Sequence, residues 1–177
     1  MALSLDGFIA DEQGGIDWLN DQPEPENPEE DYGFAAFMGT LDGMIMGRNT
    51  FDQIMDLKVW IYGDLPVTVL SHSPLGPVKL AGARVERKAK SPEELIQELA
   101  KQGLSRLYID GANVVQQFLA AGLLDQIVLT QVPAVLGRGI QLFQAPLPEE
   151  EWEVTEVKHY SNGYIQTHLN KRVRPAV

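Results

Sequence analysis

The chain has 177 residues, 44% of them hydrophobic and 22% charged, and this size and composition predict one compact domain spanning residues 1–177. Its formal net charge of −11 leaves no broad basic surface for a phosphate backbone, so nucleic acid is not an expected partner. The absence of cysteine excludes disulfides and thiolate chemistry and fits a reducing, cytoplasmic compartment, and no apolar run approaches the roughly 20 residues of a membrane span.

The first quarter of the chain predicts a strand, a loop and a helix. Residues Leu3–Ala10 are typical of a strand that contains a turn-like Asp6-Gly7, and Asp11–Gly15 has loop composition. The acidic, proline-containing stretch 21–31 is interpreted as a longer loop. A helical spacing of apolar residues then begins after Asp31, at Phe34, Phe37, Met38 and Leu41.

The middle of the chain alternates short apolar runs with helical patterns. Ser91-Pro92-Glu93-Glu94 marks one helix start, because it combines a cap residue, a proline in the first turn and a glutamate three residues after the cap. The alternation predicts a parallel sheet built from crossover units. The predicted strands are Met44–Met46, Pro66–Leu70, Leu107–Ile109 and Ile127–Val132, and the predicted helices are Arg48–Met55, a helix from Ser91 to Gly103 and one from Ala112 to Gly122.

The end of the chain predicts an antiparallel hairpin. Residues 152–160 and 164–170 flank Ser161-Asn162-Gly163, and Asn-Gly is the strongest short hairpin signal. The predicted fold class is therefore α/β, with a mostly parallel central sheet closed by a C-terminal antiparallel hairpin.

Two junctions at which a strand runs through a glycine into a helix carry the strongest functional signal. In Met46-Gly47-Arg48-Asn49-Thr50, the helix start exposes backbone N–H groups and Arg48 adds a fork of donors, both suited to phosphate. In Ile109-Asp110-Gly111-Ala112-Asn113-Val114, small residues would let a pyrophosphate approach the backbone. Two such junctions in one sheet would flank one dinucleotide. A glycine turn beside a solvated arginine is the structural alternative.

The order of these motifs resembles the dihydrofolate reductase superfamily, including the reductase domain of riboflavin-pathway deaminase-reductases. The resemblance spans nearly the whole chain, and it implies a three-layer α-β-α domain that acts as an NADPH-dependent reductase of a small, pterin- or pyrimidine-like substrate. The six-residue glycine fingerprint of the common dinucleotide fold is absent. The resemblance rests on residues 4–10, 46–51, 69–71, 109–113 and 136–139.

The resemblance also implies roles for individual residues. The cofactor phosphates would be held by Gly47, Arg48, Asn49 and Thr50, with Ser71 and His72 near the adenosine 2′-phosphate. The pyrophosphate would lie against Gly111, Ala112, Asn113 and Val114. The nicotinamide side would be lined by Ala2, Ile9 and Ala10, with the loop from Asp11 to Trp18 closing over the site as a lid.

Asp31 is the predicted catalytic acid, because it begins the first helix at the spacing before the Gly-Arg motif that dihydrofolate reductases show. A carboxyl there could hydrogen-bond a heterocycle and help to deliver a proton, which is worth roughly 10² to 10⁴ in rate. The alternative is that Asp31 is a helix N-terminal carboxylate favoured by the helix dipole. Glu29 and Glu30 compete for the catalytic role.

Three departures from the family pattern leave the substrate open. Phe8 stands where riboflavin-pathway reductases commonly carry a basic residue for a phosphorylated substrate, the loop between Trp18 and Asp31 is lengthened, and the first strand is expected to be shortened at Met1. The alternatives are 5-amino-6-(5-phosphoribosylamino)uracil reduction and a non-catalytic nucleotide-binding module. A homodimer is compatible with the resemblance. No metal site is predicted, since His72, His159 and His168 lack metal-ligand spacing.

Overall fold

The computed structural model describes residues 1–78, 80–144 and 146–172. Strands and helices alternate through its middle, as the sequence predicts. In chain order the elements are β1 (Ala2–Leu3), β2 (Phe8–Ala10), a 3₁₀ turn (Asp17–Leu19), α1 (Phe34–Met38), β3 (Gly43–Gly47), α2 (Arg48–Leu57), β4 (Pro66–Leu70), β5 (Arg84–Lys88), α3 (Pro92–Lys101), β6 (Leu107–Asp110), α4 (Ala112–Ala120), β7 (Gln126–Gln131), β8 (Ile140–Gln141), β9 (Trp152–His159) and β10 (Ile165–Lys171).

The chain divides into two compact units, each with its own sheet. One unit is Asp31–Ala121, and the other consists of Met1–Glu30 and Gly122–Val177. The expectation of a single domain over residues 1–177 stays a prediction. None of the helices in the described residues is long and apolar enough to span a bilayer.

The unit Asp31–Ala121 is built on a parallel sheet in the strand order β5-β4-β3-β6. Its central strands β3 and β4 are apolar apart from Thr68, as expected for strands buried on both faces. The core includes Met44, Met46, Val67 and Val69 from the sheet and Phe51 from α2, all at most 2% exposed. The predicted capping box at Ser91 is present at the start of α3, where the Ser91 side chain accepts a hydrogen bond from the Glu94 N–H.

The second unit contains the sheet β1-β7-β10-β9 and the strand pair β2-β8. The predicted hairpin is confirmed, since β9 and β10 pair antiparallel around a turn in which the Gly163 N–H donates to the Tyr160 carbonyl at 3.0 Å. Gly163 has a φ of +86°, which explains why the turn carries Asn-Gly.

The predicted α/β fold class is confirmed, while several boundaries differ. The predicted strand Leu3–Ala10 is two strands, because the Ser4–Gly7 turn interrupts it: the Gly7 N–H donates to the Ser4 carbonyl at 3.0 Å. The helix after Asp31 is only the five residues of α1. The strand β5 was missed altogether, because Arg84–Lys88 contains a single apolar residue.

Candidate cofactor and active site

The two glycine junctions lie next to each other at one edge of the parallel sheet. Strands β3 and β6 are neighbours in which Met46 pairs with Asp110, so Gly47 and Gly111 both stand where a strand gives way to a helix. Gly47 is the N-cap of α2 and Gly111 is the N-cap of α4, and neither helix has a side-chain hydrogen bond at its cap. Since the carboxyl ends of parallel strands are where α/β sheets bind ligands, this edge is the candidate site.

The packing at this edge explains why both positions are glycine. A Cβ on Gly111 would lie 2.5 Å from Thr50 Oγ1, and the φ of Gly111 is +85°. A Cβ on Gly47 would lie 3.2 Å from Val114 Cγ2. The starts of α2 and α4 can therefore approach each other closely because Gly47 and Gly111 have no side chains. The N–H groups in the first turn of each helix have no hydrogen-bond partner within the helix. This cradle fits the phosphates of a dinucleotide, and its side chains include the Thr50 hydroxyl and the Arg48 guanidinium.

The predicted phosphate residues differ in what they can offer an anion. Arg48 and Thr50 are partly exposed at the start of α2, and Asn49 and Asn113 are exposed. Val114 is only 2% exposed and packs against Gly47, so it shapes the cradle from beneath and can contribute only its backbone. Gly47, Arg48, Asn49, Thr50, Gly111, Ala112, Asn113 and Val114 are thus brought together, and their cofactor roles remain predictions.

Arg48 links the start of α2 to the loop after β4. Its Nε donates to both carboxylate oxygens of Asp52, at 2.8 and 2.7 Å, and its Nη1 donates to the Pro74 carbonyl at 2.9 Å. A guanidinium has five N–H donors, so these bonds fix its position and leave donors for an anion.

Ser71 follows β4, and its Oγ donates to the Ser73 carbonyl at 2.9 Å, which holds the loop in a tight turn. The preceding residue, Leu70, pairs with Gly47, so Ser71 lies at the same sheet edge as the first glycine junction. His72 is exposed. The two residues predicted near the adenosine 2′-phosphate therefore follow β4 at the same edge of the sheet as Gly47, and their role remains a prediction.

Asp31 lies at the start of α1, where its carboxylate is occupied by backbone. Its Oδ2 accepts a hydrogen bond from the Ala35 N–H and its Oδ1 one from the Gly33 N–H, both at 2.8 Å. These two bonds, the Ala35 bond foremost, lower the pKa of Asp31. An exposed carboxylate stabilised in its ionised form is a weak proton donor near neutral pH.

The predicted nicotinamide residues belong to the other unit. Ala2 lies in β1 and pairs with Thr130, while Ile9 and Ala10 lie in β2. Ala10 is 6% exposed, and a Cβ on Gly139 would lie only 2.2 Å from its carbonyl oxygen. The backbone of β2 is thus held tightly, and contacts between these residues and a cofactor stay a prediction.

Two motifs that carry the resemblance are joined within this unit by one carboxylate. Asp6 accepts hydrogen bonds from Ser4 Oγ at 2.6 Å and from the Gly137 and Leu136 N–H groups at 2.7 and 3.2 Å. The Ser4 bond, followed by the two backbone bonds, lowers the pKa of Asp6. The Ser-Leu-Asp-Gly and Leu-Gly-Arg-Gly segments are therefore one structural clamp in this unit.

The loop predicted to act as a lid begins at Asp11. Its Oδ1 accepts hydrogen bonds from the Gln13 and Gly15 N–H groups, and closure of the loop over a cofactor remains a prediction.

The family model described as RibD C-terminal domain matches residues 1–166. The chain belongs to this family. An uncharacterised Bacillus subtilis (strain 168) protein, YwjB, is 32% identical over 170 residues, which cover 95% of this chain and 93% of YwjB. The match between this RibD C-terminal domain and that relative therefore spans nearly all of both chains.

Solved structures show the same architecture. A Shewanella sp. PV-4 protein, provisionally named as a riboflavin biosynthesis protein, is 34% identical, with a TM-score of 0.88 over 98% of this chain and 97% of that one. A Thermotoga maritima diaminohydroxyphosphoribosylaminopyrimidine deaminase/5-amino-6-(5-phosphoribosylamino)uracil reductase matches with a TM-score of 0.72 and 16% identity, over 97% of this chain and 55% of that one, and this second match shows the fold alone. Membership of the RibD C-terminal domain family supports an oxidoreductase kind of enzyme and names neither cofactor nor substrate.

Sequence reasoning missed Arg87, which lies beside Ser71. Arg87 is on β5 next to β4, and its Nη1 donates to the Ser71 carbonyl at 2.9 Å. An arginine near the ribose is one way in which dinucleotide sites accommodate a 2′-phosphate. The sequence does not reveal this contact, because β5, the strand that positions Arg87, has only one apolar residue.

Asp110 belongs to the second glycine junction, and the sequence predicts no role for its side chain. It is the last residue of β6, with Tyr108 two residues before it on the same face of the strand. Burial raises the pKa of Asp110, and burial followed by the nearby Asp110 charge raises the pKa of both Tyr108 and Tyr62. Since a desolvated carboxyl at a strand end is a frequent feature of active sites, Asp110 is a candidate that environment reveals and spacing does not.

Proposed function

We propose that this protein is an NADPH-dependent reductase that transfers hydride to a small heterocyclic substrate. The observation that carries the proposal is the pair of bare glycine junctions, in which Gly47 and Gly111 bring two helix starts together at the edge of a parallel sheet. The family membership supports the same class of reaction.

The residues of this edge would divide the work of holding the cofactor. The Gly47–Thr50 and Gly111–Val114 segments would bind the phosphates through backbone N–H groups, with Arg48 adding charge. Ser71, His72 and Arg87 would surround the 2′-phosphate and so favour NADPH over NADH. When bound, NADPH supplies the hydride, and the protein supplies position and a proton.

A thermal-shift titration with NADPH and NADH side by side tests the cofactor assignment. At a concentration of about 100 times the dissociation constant, binding stabilises a fold by about 2.7 kcal/mol, which corresponds to roughly 5 to 10 °C in a domain of this size. We expect such a rise with NADPH and a clearly smaller one with NADH. If neither nucleotide shifts the transition, the cofactor assignment is wrong. Binding with no turnover of any substrate would instead favour the non-catalytic nucleotide-binding alternative.

The riboflavin-pathway reduction is the more specific candidate, because both the family and the name of the Shewanella sp. PV-4 neighbour point to riboflavin biosynthesis. Phe8 replaces the basic residue that is commonly associated with the phosphorylated substrate. The test is oxidation of NADPH in the presence of 5-amino-6-(5-phosphoribosylamino)uracil, with pterins, flavins, quinones and ketones as the comparison panel. Turnover confined to the panel would reject the riboflavin-pathway substrate and keep the reductase.

Asp31 and Asp110 are the two candidate proton donors, and the opposite directions of their pKa shifts support Asp110. Burial raises the pKa of Asp110, whereas backbone N–H groups lower that of Asp31, so Asp110 holds its proton to higher pH. We expect Asp110→Asn to lower kcat by roughly 10² to 10⁴ and Asp31→Asn to lower it much less. Both variants should keep the NADPH-induced thermal shift. The reverse order of the two kcat values would return the role to Asp31.

A further inference from the structure

Tyr108 and Asp110 lie side by side on the face of the parallel sheet that carries the core of the unit Asp31–Ala121. Both belong to β6, and residues two positions apart in a strand share a face. Asp110 pairs with Met46, which pairs in turn with Val69, and both of these apolar side chains are 0% exposed. The Asp110 carboxyl therefore stands at the end of an apolar row, where an ionised group is poorly solvated.

The ring of Tyr108 is held in place by packing. It packs against the core cluster that includes Met44, its partner across β3. It also meets the Phe37 ring edge to face, with the ring centroids 5.2 Å apart and an interplanar angle of 87°, which is a preferred arrangement of two aromatic rings. From this defined position the Tyr108 side chain hydrogen-bonds the Asp110 side chain.

Tyr108 is the donor in this hydrogen bond at neutral pH. Burial, followed by the Asp110 charge, raises the pKa of Tyr108 well above its ordinary value, so the phenol keeps its proton. Asp110 is the partner that titrates: burial raises its pKa, whereas hydrogen bonds from the Gly111 N–H and from Tyr108 act in the opposite direction. The Tyr108 hydroxyl thus favours the ionised carboxylate at a place where burial opposes it.

We propose that Tyr108 is a positioning residue, which orients the Asp110 carboxyl and stabilises the carboxylate that remains after Asp110 has given its proton to the substrate. This inference rests on the proposed reductase activity, in which Asp110 is the proton donor. A carboxylate formed among apolar side chains needs hydrogen-bond donors, and the Tyr108 hydroxyl and the Gly111 N–H supply them. Because a hydroxyl that donates to one carboxyl oxygen leaves the acidic proton to the other, Tyr108 also fixes which oxygen faces away from it.

Tyr62 offers a matched control, because it is a second tyrosine close to the same carboxyl. It lies between α2 and β4, is 7% exposed, and its ring meets Trp60 edge to face at 5.2 Å. Burial, followed by the Asp110 charge, raises the pKa of Tyr62, so Tyr62 responds to the charge of Asp110 without a hydrogen bond to it. In the described part of the unit Asp31–Ala121, Tyr108 and Tyr62 are the ionisable side chains that face Asp110. Replacing either tyrosine by Phe removes one hydroxyl and keeps the ring.

An NMR titration of the free protein, labelled at its aspartate carboxyl carbons, tests the role of Tyr108 without any substrate. The Asp110→Asn variant identifies the Asp110 resonance by its loss. In Tyr108→Phe the carboxylate loses one donor, so we expect Asp110 to bind its proton roughly tenfold more tightly than in the wild-type protein. Tyr62→Phe should leave the Asp110 titration nearly unchanged. Thermal melts check that both variants are folded.

The pH profile of kcat, measured with a compound of the substrate panel that is turned over, gives the catalytic consequence. A general acid has to be protonated to act, so kcat falls as the pH rises through its pKa. The falling limb should therefore move to higher pH in Tyr108→Phe, with a lower plateau and little change in KM, and should stay in place in Tyr62→Phe.

Two outcomes would overturn the proposal in different ways. An unchanged Asp110 titration in folded Tyr108→Phe, or an equal change in Tyr62→Phe, would show that the hydrogen bond does not govern Asp110, whatever the reaction is. If the titration moves but Asp110→Asn keeps the wild-type kcat, the bond is present and Asp110 donates no proton. The assignment of Asp110 in the proposed reductase would then be wrong, and the positioning role of Tyr108 with it.

Discussion

Gly111→Ala is expected to weaken NADPH binding by roughly 10- to 100-fold, the loss of at least one charge-assisted hydrogen bond. The added methyl group would lie 2.5 Å from Thr50 Oγ1, so the Thr50 side chain must move away from the cradle or α4 must shift. The φ of +85° adds backbone strain of about 1–3 kcal/mol for a residue with a side chain. The measurements are an NADPH binding isotherm and a thermal melt of the same sample.

Gly103→Ala separates strain from binding. Gly103 has nearly the same φ, +83°, but lies after α3 with no atom within 4 Å of an added Cβ. This variant should lose stability by about 1–2 kcal/mol and keep its affinity for NADPH. If Gly111→Ala and Gly103→Ala lose stability alike and both bind NADPH normally, the glycine at 111 serves only the turn. The assignment of the two glycine junctions as the phosphate site would then be wrong.

The parts of the fold that follow from local sequence were predicted well. The capping box of α3 and the Asn162-Gly163 turn depend on residues within a few positions of one another, and both are present. The strands β3 and β4 were predicted because a strand buried on both faces is a nearly continuous apolar run, interrupted here only by Thr68. Local chemistry and burial pattern agree in these segments, so the sequence was sufficient.

Edge strands and long-range contacts were not predictable in the same way. Among the described residues, strand β5 pairs with β4 alone. It carries mostly charged side chains, which protect an exposed edge and erase the apolar pattern. Because β5 was not predicted, the position of Arg87 beside Ser71 was not predicted either. The clamp between Asp6 and Gly137 joins positions that are 131 residues apart, so the motifs were recognised while their contact was not.

The two candidate acids show the same limit in the site itself. The position of Asp31 before a helix predicts its catalytic role, and the same position gives its carboxylate two backbone N–H partners and a lowered pKa. The raised pKa of Asp110 comes from burial, which no spacing in the sequence reveals. Motif order predicts the candidate phosphate residues through their backbone positions, whereas the acidity of a candidate proton donor depends on the environment of its side chain.

Arg48→Ala is expected to weaken NADPH binding by about 1.5–3 kcal/mol while leaving the fold nearly as stable as before. The fold loses a partly exposed pair between Arg48 and Asp52, one helical turn apart, which is worth about 0.3–0.5 kcal/mol. It also loses the exposed hydrogen bond from Arg48 Nη1 to the Pro74 carbonyl. A cation in the first turn is opposed by the helix dipole, so its removal relieves part of that loss. Isothermal titration calorimetry with NADPH, together with a urea melt of the free protein, measures the two effects separately.

Two further variants distinguish the charge of Arg48 from its geometry. Arg48→Lys keeps the charge but lacks the planar fork, so it should bind NADPH with intermediate affinity. Asp52→Asn removes the carboxylate that accepts the hydrogen bonds of Arg48 Nε. The guanidinium charge is then no longer neutralised, so NADPH affinity should rise or stay unchanged. A decrease with Asp52→Asn would show that the Asp52 contact is needed to hold Arg48 in position. Unchanged NADPH affinity in Arg48→Ala would show that Arg48 does not contact the cofactor. Arg48 would then be an ordinary surface arginine, whose removal changes neither stability nor binding by much.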